Sequence, residues 1–169
     1  HVPIVGVVDE NQDEHSADIY FQYDYDHLYI GAKIKDPTPM VNNNTGANIW
    51  NGDNLEFFVG TQDLDFTQYP DQKMAMLPVD VQIVISGGMD NGLQYYLYQN
   101  GIVTYPEFPV VVHPDADGKG YTIEASVPLK LLGITEPWTD GMMLLNPVLN
   151  DGDFTKRGQW GWTTTGESL

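Results

Sequence analysis

Asp53-Asn54-Leu55-Glu56-Phe57-Phe58-Val59 alternates with a period of two, which suits a strand with one face in a core and does not suit an amphipathic helix. Asp53, Leu55, Phe57 and Val59 fall on one face, and Asn54, Glu56 and Phe58 on the other. The preceding Asn48-Ile49-Trp50-Asn51-Gly52 places a large indole on a polar loop that has no regular face to bury it. Trp50 must therefore either fold back as a plug on the end of a sheet or stay available to a ligand. The same period recurs along the chain. Ile19, Phe21 and Tyr23 alternate with Tyr20 and Gln22; Leu28, Ile30, Ala32 and Ile34 alternate with Tyr29, Gly31 and Lys33; a turn at Asp24 to His27 joins the two as a hairpin. Val79, Val81, Ile83 and Ile85 mark another strand, Leu93 to Tyr98 a short aromatic one, and Phe108 to Val112 an apolar run suited to a buried one.

Breaks between these runs carry turn chemistry. Asp36-Pro37-Thr38-Pro39 ends the second strand, because proline cannot donate to a ladder. Asp115-Ala116-Asp117-Gly118-Lys119-Gly120 is a hairpin signal feeding Tyr121 to Val127. Pro128-Leu129-Lys130-Leu131-Leu132-Gly133 suits one short helical turn, with proline at its start and glycine past its end. Met142 to Asn150 and Arg157 to Thr164 supply the last strands. Residues 2 to 8 read as an edge strand followed by an acidic loop, and 60 to 78 as a long polar excursion of the kind that caps or binds something. The expected fold is all-β: a two-sheet antiparallel β-sandwich of eight or nine strands with one short helical turn. At 169 residues it is expected to be a single domain, 1–169.

Charge narrows the partners. With 24 acidic against 7 basic side chains the formal charge is −17, which repels phosphate backbones and anionic membrane surfaces and attracts divalent cations. Nucleic acid and membrane insertion are not expected. The absence of cysteine excludes disulfides, thiol chemistry and cysteine-based zinc sites. No apolar run approaches a membrane span and no signal peptide is present, so the chain is expected to be soluble, as a processed or excised segment.

The pattern Trp50-x-x-Asp53-x-x-Glu56-x-Phe58 resembles the corresponding stretch of family 9 carbohydrate-binding modules and their DOMON-like relatives. Tyr23 to Asp36 resembles the family's early hairpin, Gly120 to Leu129 the strand that leads into a short helical turn, and Leu149-Asn150-Asp151-Gly152-Asp153 its late strand and acidic end. The resemblance covers residues 18 to 162 and implies a DOMON-like, jelly-roll-like sandwich. The family continues past this chain's last tryptophan strand, so the C-terminal end is expected to be incomplete.

A sugar ring offers an apolar face and a polar rim, so its site needs an aromatic plate and a few fixed hydrogen-bonding groups. By resemblance, Trp50 is the plate and Glu56 the acceptor of hydroxyl donors, with Asp53 beside them. Where better-known modules carry an arginine and a glutamine this chain offers Val84 and Val148, and Gln82, on the face of Val84, is a substitute donor. Neither Trp160 nor Trp162 occupies the motif position of the second clamp tryptophan. The competing readings are structural: Trp50 as a plug, Glu56 paired with Lys33 or Lys35, and Trp160 and Trp162 as packing.

Acidic pairs at Asp24/Asp26, Asp63/Asp65, Asp115/Asp117 and Asp151/Asp153 suit turns, and the resemblance implies structural calcium with Asp151 and Asp153 as ligands. The function expected is a non-catalytic carbohydrate-binding module that tethers a larger extracellular, periplasmic or cell-surface protein to polysaccharide. Alternatives are a haem-binding electron-transfer domain with Met40, Met74 or Met76 as ligand, a calcium-stabilised assembly domain of a surface or filament protein, a copper site at His1, and a hydrolase using Glu56 with Asp53 or Glu124.

Overall fold

A strand with one apolar face is stable only when that face is covered, and here two such sheets cover each other. The structure, a computed structural model, describes residues 15–61, 79–87, 91–135 and 143–152 and the backbone of 158–161. Its strands are β1 (Ser16–Tyr23), β2 (His27–Lys35), β3 (Asn54–Gly60), β4 (Val81–Ser86), β5 (Gln94–Gln99), β6 (Ile102–Thr104), β7 (Val110–Pro114), β8 (Tyr121–Pro128), β9 (Leu144–Asp151) and β10 (Gly158–Gly161). They form a four-stranded sheet, β1-β2-β8-β7, and a six-stranded one, β10-β9-β3-β4-β5-β6, with every neighbouring pair antiparallel. The β-sandwich expected from the alternation is thus observed.

The core lies between the sheets. Ile30, Ala32 and Ile34 of β2 and Ile123 and Val127 of β8 face Leu55, Phe57 and Val59 of β3 and Ile83 and Ile85 of β4. Phe21 meets Phe57 edge-on, with ring centroids 5.7 Å apart. Met40 is buried in the same core, which removes it as an exposed haem ligand. Met74, Met76, His1, the edge strand expected at 2 to 8 and the excursion at 62 to 78 lie outside the described residues.

Two strands differ from expectation. Phe108 is buried, but the strand that follows it is β7, at the edge of the four-stranded sheet among the described residues, where Val111 is exposed. The short β6 follows from Asn100-Gly101, whose φ values of 48° and 80° are those of a tight hairpin turn; that dipeptide was the available signal for it. Two of the acidic pairs, Asp24/Asp26 and Asp115/Asp117, behave as turn formers, and Asp63/Asp65 lies outside the described residues. Asp24 accepts the amides of Asp26 and His27 and the Tyr29 hydroxyl, each at 2.8 Å, and these bonds hold its carboxyl below the ordinary carboxylate range. Asp117 accepts the Lys119 amide, and Asp115 pairs with Lys33. Lys33, one of the two lysines considered for Glu56, is therefore engaged on the other sheet. The expected helical turn is a 3-10 turn, Leu129–Leu132, closed by Gly133 at φ 81°.

Gly120 adopts φ +117°, and a Cβ there would strike the Ile34 carbonyl oxygen of the neighbouring strand, whereas Gly101 has open space around it. Gly101→Ala should cost only the left-handed penalty of about 1 kcal/mol, and Gly120→Ala at least ~2 kcal/mol more because backbone must move. Urea unfolding of the two variants measures the difference.

Candidate functional site

The outer face of the six-stranded sheet carries the side chains that the core rejects. Register places Val148 and Val84 on either side of Glu56, Asn150 across from Asn54, and Gln82 across from Phe58. On this face lies a 3-10 turn, Gly46–Asn51, which carries Trp50. Its anchor is Ile49, buried with Val84 and Tyr96 and flanked by Tyr98 and Val103. With Ile49 driven into the sheet, the next side chain along the turn stays at the rim. Trp50 is 40% exposed, so it does not seal the end of the sandwich.

A tight turn has few ladder partners for its backbone, and a row of buried amides and one carboxylate supply them. Asn42 donates to the Ile49 carbonyl at 2.7 Å and to Ser86 Oγ at 2.9 Å, and accepts the Asn44 amide at 3.0 Å. Asn54 donates to the carbonyls of Ile49 at 3.1 Å and Gly52 at 2.6 Å. Gln94 of β5 fixes the start of the turn by accepting the Gly46 amide at 3.1 Å and donating to the Asn44 carbonyl at 3.2 Å. Asp53, expected beside the ligand, is fully buried and accepts the Val41 amide at 2.5 Å and the Gly152 amide at 2.7 Å. It braces the loop against the end of β9 and has no surface on which to touch a sugar.

Glu56 is 3% exposed and sits between two donors: Gln82 Nε2 reaches one carboxylate oxygen and Asn150 Nδ2 the other, each at 2.8 Å. Asn150 also donates to Asn54 Oδ1 at 3.0 Å, so the acid is joined through amides to the loop beneath Trp50. Gln82 is therefore at the expected acid, as its donor.

Sequence reasoning missed two tyrosines. Tyr96, on the strand beside Val84, lies in the field of Glu56, and burial first, then that acid, then Tyr105, push its hydroxyl well above the ordinary tyrosine range. Tyr105 is 60% exposed, meets Tyr96 edge-on at 6.5 Å, and lies against Gly46 at the start of the turn. The signal for Tyr96 was its shared parity with Tyr98 on β5; Tyr105 lies beyond the strands and had none. Two clefts, of about 400 Å³ beside Tyr25 and Leu129 and about 390 Å³ beside Val79 and Gln99, lie elsewhere and include neither Trp50 nor Glu56.

At the end of the sandwich beneath this loop, His15, Asp36 and Asp151 form a buried group that could hold a metal ion. Asp151 was expected as a calcium ligand; Asp153 lies outside the described residues, as do the side chains of Trp160 and Trp162. Calcium takes six to eight oxygen ligands. The group offers one imidazole nitrogen and two carboxylates, with one ligand atom from each.

Asn42→Ala should destabilise the protein by about 2 kcal/mol, because it strands buried partners on the loop and on β4, and should weaken ligand binding although Asn42 is itself buried; denaturant unfolding and titration calorimetry measure both. Tyr96 contributes stability below the unfolded tyrosine pKa of about 10, and that contribution is lost as pH rises above it, since the unfolded chain ionises first. Tyr96→Phe should therefore flatten the decline in urea midpoint above pH 10.

Among proteins with curated descriptions, none matches the chain. A carbohydrate-binding module of family 9 from Caldicellulosiruptor kristjanssonii, solved with cellotriose, superimposes with a TM-score of 0.64 at 17% identity, over 98% of this chain and 73% of that one. Its complex with glucose gives 0.61 at 18% identity over 97% and 74%. A candidate carbohydrate-binding protein from Bacteroides uniformis gives 0.63 at 10% over 99% and 78%. These structures share the fold. The profile of a binding rather than catalytic family, described as carbohydrate family 9 binding domain-like, matches residues 3–168, and the chain belongs to that family.

Proposed function

We propose that the outer face of the six-stranded sheet binds a sugar ring against Trp50, with Glu56 accepting hydroxyl donors and Gln82 helping to present the acid. The observation that carries this reading is a 40% exposed indole on a turn anchored by Ile49 to the outer face of the sheet, the face that also carries a buried glutamate whose two oxygens are each oriented by an amide. The indole supplies an apolar plate for ring C–H groups, and the oriented carboxylate supplies a directional partner whose bonds to hydroxyls are charge-assisted. Tyr105, exposed at the other end of the Gly46–Asn51 turn, is the second aromatic in place of a clamp tryptophan. Val84 and Val148 flank the acid with apolar surface, so fewer polar contacts are available than arginine and glutamine would give.

A chain of glucose units is the ligand class to test first, supported by the cellotriose and glucose bound to the family 9 module of like fold. The module acts as a tether in a larger extracellular, periplasmic or cell-surface protein. Millimolar to micromolar affinity, about −4 to −8 kcal/mol, is enough for that purpose, because attachment to a polymer raises the effective concentration of the linked domain.

Trp50→Ala should abolish retention on an immobilised cello-oligosaccharide column, and Glu56→Gln should weaken binding about 10-fold or more while leaving the fold intact. Titration calorimetry against glucose, cellotriose and other short oligosaccharides gives the affinities. Retention of Trp50→Ala equal to that of the unaltered protein removes the reading.

A further inference from the structure

His15 immediately precedes β1, Asp36 immediately follows β2, and Asp151 ends β9, so three remote stretches from both sheets meet at one end of the sandwich. All three side chains are buried, at 5%, 3% and 1% exposure. His15 Nε2 lies 2.6 Å from Asp151 Oδ2 and 3.8 Å from Asp36 Oδ1, and one ligand atom from each residue lies within 4.8 Å of the others. Ligands about 2.1 Å from a tetrahedral zinc ion stand roughly 3.4 Å apart, which this group reaches with side-chain adjustments of an ångström or so.

A second feature of the same place is independent of these three. Tyr121 at the start of β8 is fully buried, and its hydroxyl has no hydrogen-bond partner among the described residues. It lies in the field of Asp53, Asp36 and Asp151, and the pairing of β2 with β8 sets Tyr121 across from Ile34, two residues before Asp36. A buried hydroxyl is normally satisfied by protein or by an ordered group, and a bound ion with its water supplies such a partner.

We propose that His15, Asp36 and Asp151 bind a divalent transition ion of the zinc type, with the Tyr121 hydroxyl beside it as an outer partner. The choice of ion follows from the donors. Imidazole nitrogen with carboxylate oxygen suits zinc and its neighbours, whereas calcium selects oxygen alone and more of it. The disagreement with calcium is therefore one of ligand chemistry as well as of number. An ion here would tie the start of β1 and the end of β2 to the end of β9. Through Gly152, whose amide Asp53 accepts, it would also steady the loop that carries Trp50. Ion binding stands or falls independently of sugar binding on the outer face.

The test uses the untagged protein stripped with chelator and titrated separately with Zn²⁺, Ca²⁺ and Co²⁺. Zn²⁺ should bind one to one and, at about 100-fold excess over its Kd, raise Tm by roughly 5–10 °C, while Ca²⁺ leaves Tm unchanged. His15→Gln and Asp151→Asn should lose the Zn²⁺ response, and the exposed His113→Ala should keep it. If the buried variants do not fold, Co²⁺-loaded unaltered protein still decides the matter, since imidazole ligation gives paramagnetically shifted ring protons of His15. Absence of any ion response, a Zn²⁺ response that survives His15→Gln, or a Ca²⁺ response in place of Zn²⁺ overturns the proposal and leaves a buried histidine–aspartate pair.

Discussion

A loop that leaves a sheet still carries peptide groups that need partners, and in this protein the placement of the exposed indole depends on how those partners are found. Asp53 holds the amides of Val41 and Gly152 on its two oxygens, and Asn42 and Asn54 hold the carbonyls of Ile49 and Gly52. Each bond alone contributes about 1 kcal/mol. Together they turn a segment without ladder pairing into a rigid bracket. Ile49 then adds the apolar anchor, and the position of Trp50 follows from both.

Side-chain parity explains why one strand can serve two ends. On β3 the odd positions Leu55, Phe57 and Val59 complete the core, and the even positions Asn54 and Glu56 build the polar row outside it. The hydrophobic demand of the core fixes the register, because a slip by one residue would exchange the two faces. The polar row is thus held by the stability of the interior rather than by its own bonds. An acid as deeply set as Glu56 can keep a definite orientation only on such a support.

What was legible in the sequence was what depends on local pattern. Period-two alternation gave the main strands and the two faces of β3, and Asp-rich turns and Pro128 with Gly133 gave the connections. The edge position of β7 was not legible, since an apolar run reads the same whether one side or both are covered. The contact between Glu56 and Gln82 was legible because the two share a sheet face. The bracing contacts of Asp53 were not legible, although parity puts it with Leu55 and Phe57 on the inner side, because its partners Val41 and Gly152 come from distant stretches. His15, Asp36 and Tyr121 could not be found together, because the pairing of β1 with β2 and of β2 with β8 brings them to one end of the sheet, and only the closure of the other sheet over it adds Asp151. Tyr105 was not legible either, since it lies outside any strand and meets the turn at Gly46 only in the folded chain.

Gly152 at the end of β9 lies so close to the loop that a Cβ there would come within 2.7 Å of the Gly52 Cα. The two backbones can approach this closely only while position 152 lacks a side chain, so the geometry of the indole's loop is partly written 100 residues downstream. Anyone transplanting residues 40–53 into another sandwich to move its recognition surface would have to carry the closing end of the ninth strand along with it. The transferable unit is discontinuous, two segments meeting at a bare backbone junction.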